Sequence, residues 1–560
     1  MSRTKNSFSL AVSLLVGCCF FTLVLNLLHS SFFHVEDDHE QSFREKHIKS
    51  AESLHHPNKA PRNQQQGGTQ KLAGLSCERY GGPEDPSEMV FWSDMPQDTD
   101  FVSPLKRTDG GSPQYLLFEP DGGGWNNIRM SMETVLAMAH AMGRTLVLPP
   151  ELGMYLLGKS DQSQKNAFSF KDFFPMEAIA SEHRGFDIIT MDEFLEREGV
   201  TGHLRDSVTA MTSFPPQNRT DWNGMKKEVQ HELDPWIRSI AFMPDWDPDK
   251  CLAAFPKSRD PKDAEGLSHI LRNALDDGRT APDPQIFIGH PPRVDASPRD
   301  RLRESLAGRK ELCVYDQAMQ DAPVIHFHGK KGMGARLLVH FYAFLFFEDW
   351  TQDLWVKRFV RDHVRYVDEI QCAAARIVQG IRERAKTEDN PNGDFDTFHI
   401  RRGDFQYKKM RVSAEEIYDI SQDILTEGST VYLATDERDK SFFAPLAKKY
   451  NVLFLDDFMH LIPDLNTNYY GMIDQLIASR GRFFFGCWFS TFTGYINRIR
   501  GYDSEKRSLP GHEDGLIQSY YYALPEHKMK MRDYYPVKKA FYAREFPASW
   551  RNLNTGDLET

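Results

Sequence analysis

Cysteine is scarce: 560 residues hold seven. Cys18 and Cys19 sit inside an apolar run. Cys77, Cys251, Cys313, Cys372 and Cys487 are too far apart and too irregular for a CxxC metal knuckle. These five allow at most two disulfides with one thiol left over, and their spacing leaves the pairing open. Positive charge is also short. Lys plus Arg number 68 against 80 Asp plus Glu, for a net charge of -12. A dominant nucleic-acid binder is usually basic, so nucleic acid is not an expected partner. Any anionic ligand has to be met by local positive charge. Several catalytic signatures fail as well. The Gly122–Gly124 turn is neither GxGxxG nor a GK[ST] loop, so it supports no dinucleotide fingerprint or P-loop. His231-Glu232 lacks the second histidine of HExxH, and Ser490 has no G-x-S-x-G elbow. No internal repeat is present, which excludes a solenoid.

What is there is apolar and aromatic. Hydrophobic residues make up 40% and aromatics 12%, enough to bury large cores and to exclude wholesale disorder. At this length two or three domains are expected. One long apolar run exists, Phe8 to Leu28, without a charged residue. As a helix it would span roughly 30 Å, enough to cross a bilayer. Arg3 and Lys5 precede it, which favours a cytosolic N-terminus and a lumenal body. Residues 1–7 then read as a cytosolic tail and 8–28 as a transmembrane anchor, with a cleaved signal peptide as the alternative. Residues 29–112 read as a lumenal stem, rich in polar residues, Gly and Pro. Cys77, Phe91 and Trp92 call for partners, so part of 77–112 can wrap onto the body. Asn218-Arg219-Thr220 is a glycosylation sequon, consistent with a secretory route.

The body reads as α/β. Gln114–Phe118 is a short strand, followed by Glu119-Pro120-Asp121 and three glycines. Ile128–Met142 has helical apolar spacing, and Thr145–Leu148 is the next strand. Ile286–Gly289 and Val324–Gly329 read as later strands, and about 334–385 as a long helical region broken near Phe347–Thr351. A second unit starts at Asp396, with strands at Thr397–Ile400, Val431–Ala434, Val452–Leu455 and Phe483–Gly486. Helices at Ser413 to about Leu425 and Tyr470–Arg480 separate them. That rhythm is the pattern of a parallel sheet.

Four turns carry candidate chemistry. Gly123 and Gly124 let backbone approach a ligand at a helix start, where Asn126, Asn127 and Arg129 add donors. Arg401 and Arg402, after the strand that holds His399, offer planar donor forks suited to a diphosphate, and Asp404 can fix one of them. Asp436 ends the next strand as a possible acceptor for a base or ribose. Ser490 and Thr491 open a helix and suit phosphate oxygens. Asp474 sits on a mostly apolar helix face, where it can position an arginine or the sugar. Asp245-x-Asp247 reads as a surface loop rather than a metal motif. His326 and His328 share a strand face without an adjacent third ligand.

In order, YLLFEPDGGGWNNIR at 115–129, HIRRGDF at 399–405, YLATDE at 432–437, MIDQLIASRGRFFFG at 472–486 and CWFSTFTGYINRI at 487–499 resemble the GDP-fucose protein O-fucosyltransferase family. The pattern is nearest its thrombospondin-repeat branch. The resemblance implies a GT-B-like glycosyltransferase: two Rossmann-like domains facing a cleft, here 113–350 and 351–505, with 506–560 as an extension packed back on the body. It implies GDP-fucose as donor, no required metal, and inverting transfer to a Ser/Thr hydroxyl of a secretory-pathway protein. Arg401 aligns with the family's essential arginine and is the catalytic candidate. Asn127, Asp436, Ser490, Thr491 and Phe492 align with substrate-binding positions. One departure stands out: Gly124 occupies the place of that branch's catalytic glutamate. Two other functions are compatible: fucosyl transfer to a glycan or polysaccharide, and an inactive lumenal glycan- or nucleotide-binding protein. The expected setting is a single-pass type II protein of the Golgi or endoplasmic reticulum membrane, with a glycoprotein or glycan acceptor as partner.

Overall fold

The computed structural model describes residues 73–92, 95–150, 168–201, 203–204, 227–276, 296–329, 337–403, 405–523 and 545–554. The expected anchor at 8–28 and the expected strand at 286–289 lie outside them. Thr69–Thr560 forms one compact unit, to which all that follows belongs.

Twelve strands are present among the described residues. They are β1 (Tyr115–Phe118), β2 (Thr145–Leu148), β3 (Ile188–Thr190), β4 (Cys251–Phe255), β5 (Glu311–Val314), β6 (Val324–Phe327), β7 (Leu345–Phe347), β8 (Asp396–Ile400), β9 (Thr430–Thr435), β10 (Asn451–Leu453), β11 (Phe484–Cys487) and β12 (Ser519–Ala523). Four helices matter below: α1 (Trp125–Ala141), α2 (Lys227–Ile240), α3 (Tyr470–Ala478) and α4 (Thr491–Arg507).

The strands form three sheets, ordered β3-β2-β1-β6, β10-β9-β8-β11-β12 and β5-β4-β7. Every pairing is parallel. Strands β1 and β11 are buried at every position, which is why their sequences are apolar runs without alternation. The first two sheets are the two-sheet layout of a GT-B-like fold. The third was not expected. Its strand β7 falls inside the stretch read as helical, because Leu345-Phe346-Phe347 pairs with Ala253–Phe255 of β4. Among the described residues, that stretch holds helices only at Phe341–Phe344, Trp350–His363 and Asp368–Ala385.

Both large sheets reverse direction. In the first, the chain steps from β1 to β2 to β3 on one side, and β6 returns on the other. In the second, β8 to β10 run one way, and β11 and β12 lie on the opposite side of β8. The reversals fall between β1 and β6 and between β8 and β11. Ligands of open parallel sheets bind at the carboxyl ends of strands at such points.

The end of the expected stem lies on the body. Cys77 is bonded to Cys372, Trp92 meets Tyr502 edge-on, and Arg361 stands 4.4 Å over the Trp92 ring. A second disulfide joins Cys251 of β4 to Cys313 of β5, and Cys487 is the free, buried thiol. Two bonds and one spare thiol are the most that five cysteines allow. The C-terminal extension also joins the body: β12 is a strand of the second sheet, and Trp550 packs against Gly501 of α4.

Candidate active site

At the first reversal, Glu119 directly follows β1 and His328 directly follows β6. The Glu119 carboxylate lies 3.2 Å from His328 Nε2 and 3.7 Å from His326 Nε2, and it accepts a hydrogen bond from Gly329 N at 3.3 Å. Burial alone would raise this carboxyl. The two imidazoles and the Gly329 amide outweigh it and hold the group at about 2. Glu119 is therefore a poor proton acceptor near neutral pH. Glu119, Asp234 and His328 are close enough to share a cation. Arg238 of α2 supplies a positive charge there: its guanidinium meets His328 Nε2 at 2.7 Å and Asp234 at 3.0 Å. The histidine pair that looked isolated in sequence thus belongs to a charged cluster.

The glycine turn follows. Asp121 is buried and accepts a hydrogen bond from Gly123 N at 2.7 Å. A side chain at Gly123 would bring its Cβ within 2.5 Å of Asn127 Nδ2 and 2.8 Å of Asp121 Oδ1, so only glycine lets the turn close this tightly. Gly124 caps α1 without a side-chain hydrogen bond to the first-turn amides. Asn127 faces the second sheet, where Thr491 Oγ1 donates to its Oδ1 at 2.9 Å. Asn126 points elsewhere. It accepts from Gln475 Nε2 at 2.7 Å, within a buried chain that continues to Tyr366 and Trp125. Arg129 is fully buried against Glu133 and the Tyr495 ring, so it lends no donor to the turn.

At the second reversal, Asp436 organises the arginine turn. Its carboxylate accepts from Arg402 N at 2.7 Å and Gly403 N at 2.9 Å, and it pairs with the Arg401 guanidinium. A Cβ at Gly403 would stand 2.5 Å from Asp436 Oδ2. Tyr522 of β12 accepts a hydrogen bond from Arg401 N at 3.1 Å. Arg402 is held apart from its neighbour. It pairs with Glu437 at 2.9 Å, donates to Val412 O at 3.0 Å and stacks 3.6 Å over Phe442. Glu437 is thus a carboxylate partner of Arg402; Asp404, expected to fix one of the two arginines, lies outside the described residues.

His399 is buried, with Nδ1 2.7 Å from Thr493 Oγ1 and its ring stacked on Phe492 at 4.3 Å. Burial pulls its pKa down to about 3; Asp436 opposes that shift and Arg401 adds to it. The ring is neutral at physiological pH and orders the start of α4. Ser490 caps α4, again without a side-chain hydrogen bond to it. Phe489 just before it has φ 63, a left-handed backbone that non-glycine residues rarely adopt, and it stacks on Tyr407 at 4.4 Å. Asp474 lies deeper, on α3, and accepts from Tyr432 OH at 2.5 Å. Burial pushes its carboxyl up to about 7, against the Tyr432 hydrogen bond. The expected surface loop at 245–249 hydrogen-bonds to itself, Asp249 N to Asp247 Oδ1 at 3.0 Å.

The structure therefore gathers Gly123, Gly124, Asn127, Ser490 and Thr491 at two adjoining helix starts, and His399, Arg401, Arg402, Asp436 and Phe492 about the second reversal. Tyr522, Thr493 and Glu437 were not anticipated. Tyr522 lies in the aromatic run Tyr520-Tyr521-Tyr522, which could have been read as a strand.

Helix starts and an arginine at the carboxyl ends of parallel strands are features suited to a phosphate-bearing ligand. The family model for GDP-fucose protein O-fucosyltransferases matches residues 115–503. The chain belongs to that family and is a GDP-fucose-using fucosyltransferase, which sets aside the inactive glycan-binding reading. Among solved structures, POFUT1 in complex with GDP is 13% identical with a TM-score of 0.31, over 73% of this chain and 99% of that one. NodZ alpha-1,6-fucosyltransferase co-crystallized with GDP is 14% identical with a TM-score of 0.32, over 70% and 93%. A mutant of Arabidopsis thaliana FUT1 in complex with GDP is 10% identical with a TM-score of 0.32, over 76% and 73%. The family assignment rests on the family model and not on these distant likenesses. No curated protein matches the chain significantly.

Proposed function

We propose that the chain transfers fucose from GDP-fucose, with inversion, to a Ser or Thr hydroxyl of a secretory-pathway protein. The observation that carries the donor site is the meeting of two helix starts. Helices α1 and α4 begin at the two reversal points, neither start is capped by a side chain, and the Asn127–Thr491 hydrogen bond joins them. Free first-turn amides and two positive dipole ends suit a diphosphate. Arg401 lies at the same reversal point as α4. Its planar fork has five donors, enough to hold Asp436 and meet a phosphate oxygen together. As the bond from C1 to the phosphate oxygen breaks, negative charge grows on the departing diphosphate, and Arg401 stabilises it more strongly in the transition state than in the ground state. His399, stacked on Phe492, and Arg402 flank the site, while Asp436 holds Arg401 in register. Diphosphate neutralisation by these groups supports a reaction without a required metal.

The ordered motifs point nearest the thrombospondin-repeat branch. Gly124 departs from that branch, and Glu119, held at about 2, does not replace its missing glutamate. Two disulfides fit an oxidising lumen, which supports a type II protein of the Golgi or endoplasmic reticulum tethered by Phe8–Leu28. Calorimetry of the detergent-solubilised chain with GDP-fucose, GDP-mannose and UDP sugars tests the donor assignment. Preference for GDP-fucose is expected, and equal or absent binding of all of them overturns it. A transfer assay with folded protein repeats and N-glycans then decides the acceptor, and glycan-only transfer would replace the protein acceptor.

A further inference from the structure

Helices α1 and α4 run side by side and in the same direction. Asn127 meets Thr491 near their starts, the Arg129 guanidinium lies 3.6 Å over the Tyr495 ring, and Glu133 meets Arg498 at 2.7 Å further along. Partners advance together along both helices, over about 9–10 Å of axis. Two parallel helices with adjoining starts repel through their dipoles. Something has to hold them there.

The lower end of this seam is a buried charge cluster. Arg129 pairs with Glu133, and Arg498 bridges Glu133 and Glu545, each at 2.7 Å. Arg129 Nη2 lies 3.6 Å from Glu545 Oε1. These four side chains are at most 1% exposed. Two arginines and two glutamates sum to zero. One of the four side chains, Glu545, comes from neither helix but from the C-terminal segment. Its other oxygen accepts from Tyr342 OH at 3.0 Å and lies 3.4 Å from His340 Nδ1, and Tyr342 OH in turn accepts from Phe546 N at 3.1 Å. Without Glu545 the cluster keeps two buried guanidiniums and one carboxylate, an arrangement buried charge tolerates poorly.

We infer that Glu545 is a positioning residue for the donor site, a C-terminal clasp whose charge holds α1 and α4 in the register that brings their starts together. The inference rests on the reading of those starts as the diphosphate site. Glu545 touches no substrate and acts through Arg498 and Arg129.

The test uses the detergent-solubilised full chain and GDP as probe. Glu545→Gln keeps the shape and removes the charge. Trp550→Leu loosens the same C-terminal segment where it packs on Gly501, without touching the cluster. GDP affinity, GDP-fucose KM and kcat, and thermal melting are measured for both. Glu545→Gln is expected to bind GDP about tenfold more weakly, and more weakly than Trp550→Leu at a comparable loss of melting temperature. Equal GDP affinity for wild type and Glu545→Gln, or equal losses in the two variants, overturns the inference. Where Glu545→Gln does not fold, Tyr342→Phe carries the test, since it removes one hydrogen bond to the same carboxylate. It is expected to weaken GDP binding about threefold, and unchanged binding overturns the inference. Failure of the site reading looks different: wild type itself would bind no GDP, or Asn127→Ala would leave GDP affinity unchanged.

Discussion

Thr491 Oγ1 donates a hydrogen bond to Asn127 Oδ1 at 2.9 Å across 364 residues of sequence. Each residue lies in the first turn of a helix that leaves a sheet at its reversal point. The bond therefore couples the two sheets at the place proposed for the diphosphate. Thr491→Val keeps the side-chain shape and removes the donor. It leaves Asn127 Oδ1 short of a partner and is expected to destabilise by about 1 kcal/mol. GDP affinity is expected to fall about tenfold, because the two starts lose their common anchor. Calorimetry with GDP beside thermal melting checks this. An affinity equal to wild type would show that the starts hold their places without the bond.

Arg401 and Arg402 are neighbours with different environments. Arg401 pairs with Asp436, while Arg402 is packed between Glu437 and the Phe442 ring. Arg401→Lys is expected to lower turnover on the order of 100-fold, about 3 kcal/mol at the transition state, with little change in melting. Arg402→Lys loses a flat stacking contact and a fixed fork, so about 1–2 kcal/mol of stability is expected to go with any loss of activity. Donor turnover and melting of both variants separate the two roles. A fully active, normally folded Arg401→Lys enzyme would place the essential donor elsewhere.

Gly403 offers a sharper probe of the Asp436 clamp. A methyl group there would lie 2.5 Å from Asp436 Oδ2, so either the turn or the carboxylate has to move. Gly403 is exposed and tests the clamp rather than the core. Gly403→Ala is expected to lower turnover at least tenfold, with stability near that of wild type. Turnover unchanged beside an intact fold would mean that Asp436 does not aim Arg401.

Much of this arrangement was legible in sequence, for a physical reason. Strands buried on both faces, such as Tyr115–Phe118 and Phe484–Cys487, are short apolar runs, and the turns that follow the strands carry the odd residues out: three glycines, two arginines, a Ser-Thr pair. What failed depended on register and distance. The Glu437 partner of Arg402 is one example: the parallel register sets Ile400 beside Thr435 and so brings Glu437 next to the arginine turn. No local spacing reports such a register. Strand β7 was hidden because Leu345-Phe346-Phe347 is too short to show a period between helical segments. Glu545 lies 47 residues from Arg498 in a stretch with no motif, and only the charge balance of a buried cluster reveals its role.

The buried titrating groups predict opposing responses to acid. Burial draws His140, stacked on Trp355 at 3.7 Å, down to about 3, although the Phe101 backbone opposes the shift; His399 is also held at about 3. Histidine in the unfolded chain titrates near 6.5. Between about 3 and 6.5 the unfolded state therefore binds protons that the native state refuses. Each histidine withdraws stability as pH falls below 6.5, by about 1.4 kcal/mol per pH unit. Asp474 acts the other way. Its native pKa near 7 exceeds its unfolded value of 3.8, so the native state holds an extra proton between those limits. Its contribution is present at low pH and is lost as pH rises through 7. His140→Phe keeps a ring in the stack and removes the titration, so the loss of stability from pH 6.5 to 4 is expected to be shallower than in wild type. Asp474→Asn retains an acceptor for Tyr432 and removes the compensating proton, so the same loss is expected to steepen, with a gain in stability above pH 7. Denaturant unfolding of all three proteins between pH 4 and 8 measures the slopes. Parallel profiles for the two variants and wild type would mean that neither group titrates differently in the folded chain.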